Sequence, residues 1–123
     1  MKVVRIYETG GPEMLKYEDS DEPAPGPGQA LVNIQAIGVN FTDVGSRRGS
    51  SPPAGLPWIP GREAAGVVAA LGEGVTEVKV GDLVAYTWVP SSYAEKVVAP
   101  ASELVRLPEG MDALMGAAVM IQG

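Results

Sequence analysis

A chain of 123 residues, 46% hydrophobic and 20% charged, has the size and composition of one globular domain able to bury its own core. It contains no cysteine and no histidine, which excludes disulfides, thiolate or imidazole metal ligands, and every Ser-His-Asp or Cys-His scheme. Nine Lys+Arg against fifteen Asp+Glu leave a net charge of −6, which argues against a nucleic-acid surface.

The first residues, Met1 to Arg5, enter an alternating pattern with no apolar leader segment. The longest uncharged apolar stretch, Ala64 to Leu71, falls far short of the roughly 20 residues that cross a bilayer. No membrane partner is expected, and a cytoplasmic location is the default. Sixteen Gly and eleven Pro suit a turn-rich β fold better than a helical bundle.

In chain order, Val4 to Tyr7, the turn Thr9-Gly10-Gly11-Pro12 and a returning strand over Met14 to Glu18 predict a hairpin. Pro23 to Gly28 reads as a stiff surface connection, and Gln29 to Val39 as a long strand with two alternating faces. Asn40 then stands as a helix cap, with Asp43 at the third helical position, where a carboxylate suits the helix dipole. That helix is expected to be short, stopped by Gly45 and Gly49, and followed by a mobile loop over Ser50 to Gly55. Ala64 to Leu71 reads as a buried strand in which Gly66 permits close backbone approach. Further strands are expected at Leu83 to Tyr86, Tyr93 to Ala99 and Glu103 to Leu107. Asp112 caps a helix that begins at Ala113 and whose pattern still runs at Gly123. About seven short strands with two short helices predict a mainly β fold (α+β), a small, largely antiparallel barrel or sandwich.

Several local patterns occur in a fixed order: Tyr7-Glu8-Thr9-Gly10-Gly11-Pro12-Glu13, Gly38-Val39-Asn40-Phe41-Thr42-Asp43, Arg47-Arg48-Gly49, Pro60-Gly61-Arg62-Glu63-Ala64-Ala65-Gly66, Leu71-Gly72-Glu73-Gly74-Val75, Val80-Gly81-Asp82-Leu83-Val84, Tyr93-Ala94-Glu95 and Leu107-Pro108-Glu109-Gly110. Together they resemble the N-terminal, GroES-like domain of the medium-chain dehydrogenase/reductase superfamily, in its zinc-free quinone oxidoreductase branch of the zeta-crystallin type. The resemblance spans essentially residues 1–123 and implies a partly open antiparallel β-barrel, with the start of a connecting helix from about residue 112. It also implies a Rossmann domain downstream that holds NADPH. Gly26-Pro27-Gly28 and Gly72-Glu73-Gly74 both lack the third glycine of a dinucleotide fingerprint.

By this resemblance the activity is hydride transfer from NADPH to a small quinone or α,β-unsaturated carbonyl. The full-length protein is expected to be a homodimer, and this domain to form one wall of the cleft. A 2-enoyl thioester reductase of the same superfamily is the alternative enzyme, and a non-enzymatic co-chaperonin or interaction module the alternative from another class.

The candidate catalytic residues are Asn40 and Asp43, and the candidate cofactor contacts Asn40 and Arg47. The resemblance sets Asn40 where zinc relatives carry a cysteine ligand. There its amide can bond a substrate carbonyl or the cofactor carboxamide, or it can simply cap the helix. Asp43 and Arg47 are spaced i,i+4, which suits an ion pair on one helix face; the resemblance places both at the cleft floor. Arg62-Glu63 stands where zinc relatives have His-Glu, and arginine cannot ligate a metal. No zinc is expected, and Glu63 is expected to accept from backbone or a nearby arginine. Gly45 replaces a tyrosine that contacts cofactor in many relatives.

Overall fold

The computed structural model describes residues 1–50 and 53–120. Among the described residues seven strands form two antiparallel sheets. β1 (Lys2–Arg5) pairs with β2 (Lys16–Asp19), and the larger sheet has the order β6-β3-β4-β5-β7. Its members are β3 (Gln29–Gly38), β4 (Glu63–Leu71), β5 (Leu83–Thr87), β6 (Lys96–Pro100) and β7 (Val105–Arg106). The helices are α1 (Phe41–Arg48) and α2 (Ala113–Val119). Both sheets stay open, in keeping with the mainly β, partly open barrel of a GroES-like domain.

β4 is the centre of the larger sheet because its small apolar residues let both faces be covered. Ala64 and Val68 join Val32, Val84, Tyr86 and Val97 in one core, while Ala65 joins Ala36, Ala85, Ala113 and Ala117 under α2. A Cβ at Gly66 would overlap the backbone carbonyl of Asn33, so only glycine lets β3 and β4 approach here. β3 carries two register shifts against β4, between Leu31 and Val32 and between Ile34 and Ala36. They bend the strand and bring Gly38 opposite Glu63.

Three expectations are corrected. Gly45 does not stop α1, which runs on to a left-handed Gly49 (φ 97°) whose N–H donates to Gly45 O at 3.1 Å. Glycine inside a helix costs only propensity, too little to break one that is capped at both ends. Tyr93 to Glu95 belong to no strand of the larger sheet; Val4 N–H donates to Tyr93 O at 2.8 Å, Glu95 N–H to Lys2 O at 3.1 Å and Ile34 N–H to Glu95 O at 2.8 Å, so this segment ties β1 to β3. Glu103 lies in a 3-10 turn (Ala101–Glu103), closed by Leu104 N–H on Ala101 O, which leaves β7 only two residues long. The loop expected over Ser50–Gly55 falls partly on residues 51–52, and the end of the C-terminal helix on 121–123. Both pieces lie outside the described residues. No helix among the described residues is long and apolar enough to cross a membrane.

Candidate functional site

The site forms where β3 ends, α1 begins and β4 starts. Asp43, the third residue of α1, turns its carboxylate back so that Oδ2 accepts the Asn40 N–H at 3.1 Å, while Asp43 N–H donates to Asn40 O at 3.0 Å. This satisfies an amide that a helix start would otherwise leave without a partner. The Asn40 carboxamide reaches across to the neighbouring strand, where its Nδ2 donates to Glu63 Oε1 at 3.1 Å.

Asp43 is only 4% exposed, and its Oδ2 also accepts from the Tyr93 hydroxyl at 2.9 Å. Its other oxygen, Oδ1, is buried with no hydrogen-bond partner among the described residues. Burial is the main force raising the Tyr93 phenol well above its ordinary range, and the hydrogen bond to the Asp43 carboxylate adds to it. Tyr93 therefore stays a donor across the physiological range.

The expected ion pair between Asp43 and Arg47 does not form. Arg47, 8% exposed, donates from its guanidinium to Gly10 O at 2.8 Å, and Gly10 N–H returns a bond to Arg47 O at the same distance. The i,i+4 spacing permits a pair, but the turn after β1 offers the guanidinium a half-buried carbonyl, and the carboxylate has Tyr93. Arg47 is thus a strap between α1 and Gly10. Asp43, Arg47 and Tyr93 still meet, with Pro12, Leu15 and Val39, around a cavity of about 210 Å³.

Asn40 lines a different cavity of about 330 Å³, between the end of β3 and α2, with Gly38, Val39, Leu114 and Ala117 among its walls. Arg62 places its guanidinium over the Trp88 ring, 5.7 Å from the centroid, and Trp88 leaves β5 in the left-handed region at φ 64°. Thr87, just before it, is paired with Glu63, so Trp88 flanks the site. Sequence reasoning left Tyr93 without a role and did not join Glu63 to Asn40. Separations of 50 and 23 residues carry no local signal.

These features define a GroES-like domain with a polar cluster at the β3–α1 junction. Residues 26–109 match the family model of the alcohol dehydrogenase GroES-like domain, and the chain belongs to that family, within the medium-chain dehydrogenase/reductase superfamily. Among curated relatives, a quinone oxidoreductase of Pseudomonas aeruginosa is 45% identical over 123 residues, covering 99% of this chain and 38% of the relative. Two solved structures are also similar. One is the quinone oxidoreductase of Pseudomonas syringae pathovar tomato, with a TM-score of 0.95 and 43% identity. The other is that of Escherichia coli complexed with NADPH, with a TM-score of 0.96 and 32% identity. Each comparison covers 99% of this chain and 38% of the solved chain, so the chain spans about two fifths of the length of the proteins it matches.

Proposed function

We propose that this chain forms the substrate-side wall of a full-length NADPH-dependent reductase of small quinones or enones. The observation that carries the proposal is Asn40, a neutral carboxamide on the wall of a cavity, held at its backbone by Asp43 and at its side chain by Glu63. The similarity to quinone oxidoreductases, one of them complexed with NADPH, supports the same reading.

The residues present suit only the nicotinamide end of such a cofactor. Gly26 to Gly28 precedes β3, and Gly72 to Gly74 follows β4 without leading into a helix, so neither offers helix N-terminal amides to a pyrophosphate. Bound NADPH supplies the hydride. Asn40 offers hydrogen bonds of fixed direction to a carboxamide or carbonyl, and Val39, Leu114 and Ala117 give the cavity an apolar wall against which a ring can lie. Asp43 serves the site by holding the Asn40 backbone, and Arg47 by tying α1 to Gly10. A homodimer in the cytoplasm, working without zinc, belongs to the same proposal.

The test is turnover of NADPH with 1,4-benzoquinone by the full-length protein containing this chain. Asn40→Ala is expected to lower kcat/KM by about tenfold, the scale of one lost hydrogen bond, with fold and oligomeric state unchanged. Unchanged kcat/KM would remove Asn40 from the chemistry.

A further inference from the structure

We propose that Glu63 is a positioning residue whose carboxylate holds the Asn40 carboxamide in a single orientation. The inference rests on the reading that Asn40 meets the cofactor or substrate. Three observations carry it. Glu63 is 2% exposed, and its Oε1 accepts from Asn40 Nδ2 at 3.1 Å. Glu63 is paired with Gly38 across the β3–β4 ladder, so Asn40, two residues further on, is its diagonal neighbour. A Cβ at Gly38 would overlap the Glu63 carboxylate and come within 2.8 Å of its Cγ. The carboxylate therefore lies flat across a position that glycine alone leaves open.

Packing alone gives no reason for this arrangement. Ala65, two residues along the same strand, fills its place in the sheet with a methyl group, and a buried carboxylate is costly unless something donates to it. The chemistry of a carboxamide supplies the reason. Its NH2 and oxygen ends have nearly the same shape and opposite hydrogen-bonding sense, so an amide held only by packing can sit either way round. A carboxylate oxygen only accepts, so it selects the orientation with Nδ2 facing β4. Asp43 fixes the backbone of the same residue, and in the capping box its own N–H faces the oxygen end of the Asn40 side chain, which favours the same orientation. The cavity is then shown one arrangement of donor and acceptor, which is preorganisation at no cost to the reacting step.

One test reads the amide itself. Asn33 and Asn40 are the only asparagines in the chain, and Asn33 is exposed, so selective 15N-asparagine labelling yields two side-chain NH2 pairs and a built-in reference. Hydrogen exchange of the Asn40 pair is expected to be at least about tenfold slower than that of Asn33. Glu63→Leu should bring it close to the Asn33 rate, and Glu63→Gln, which keeps an acceptor oxygen, should preserve most of the protection. Gly38→Ala displaces the carboxylate without changing it and should act like Glu63→Leu; it carries the test if circular dichroism shows that Glu63→Leu is unfolded. Unchanged Asn40 exchange in whichever of Glu63→Leu and Gly38→Ala is folded overturns the proposal.

The second test is kinetic, in the full-length protein. Glu63→Leu should lower kcat/KM by about tenfold, Glu63→Gln should restore most of it, and Asn40→Ala/Glu63→Leu should be no worse than Asn40→Ala alone. If Asn40→Ala is silent, the functional reading fails while the exchange experiment still decides the positioning. If Asn40→Ala is damaging and the Glu63→Leu loss adds fully to it, Glu63 does not act through Asn40.

Discussion

Tyr93→Phe removes one hydroxyl from the most constrained part of the site, and its effect can be worked from the contacts. The phenol donates to Asp43 Oδ2 at 2.9 Å, and Asp43 Oδ1 has no partner among the described residues, so the variant leaves a 4% exposed carboxylate with the Asn40 N–H as its remaining hydrogen bond among them. A hydrogen bond to a charged group contributes about 1.5–3 kcal/mol, so a loss of about 2 kcal/mol is expected. With an unfolding entropy of about 2.1 cal/mol/K per residue over this length, that lowers Tm by roughly 8 °C. The pH dependence gives a second signature. The folded-state pKa of Tyr93 is raised above its unfolded value near 10, so the folded state keeps a proton that the unfolded state gives up. That stabilisation is complete below about pH 10 and is lost as pH rises toward the folded-state value. Tyr86 behaves alike: burial pushes it up to about 12, against a smaller opposing effect of its hydrogen bond with Ser92. Urea denaturation between pH 7 and 11 should therefore show the wild type losing stability above about pH 10, and Tyr93→Phe losing less there. A variant within about 0.5 kcal/mol of wild type at pH 7, or one with an unchanged alkaline slope, would refute the reasoning.

Gly45 sits inside α1, and among the described residues outside the helix's own backbone a Cβ there would meet only Ser50 Oγ at 3.5 Å, so Gly45→Ala should stabilise the fold by about 0.5–1 kcal/mol, read as a higher urea midpoint. Gly66→Ala would drive a methyl into the Asn33 carbonyl and should destabilise by at least about 2 kcal/mol, with loss of the β3–β4 amide protection in hydrogen exchange. Asp112 accepts from Met115 N–H at 2.9 Å as the cap of α2; Asp112→Ala should lower stability by about 1 kcal/mol and shift exchange most strongly over residues 113–119. Among the described residues no group of three or more His, Cys, Asp or Glu side chains could hold a metal ion, so dialysis against a chelator should leave Tm unchanged and elemental analysis should find well under one zinc per chain.

Local pattern determined the elements and much of the family resemblance. Alternation marked β3, the small apolar run with Gly66 marked β4, and Asn40 with Asp43, like Asp112, marked the two helix starts, because capping and period are decided within a few residues. Partner choice was decided only by the tertiary structure. Asp43 and Arg47 have a spacing that permits a pair, yet the guanidinium goes to Gly10 and the carboxylate to Tyr93, 50 residues away. A side chain takes the best-matched buried partner that the packed chain brings within reach, and sequence spacing states only which partners lie nearby along the helix. The junction of Asn40 with Glu63 is of the same kind: it depends on register shifts in β3 that bring Gly38 opposite Glu63, and register is a property of two strands packed together.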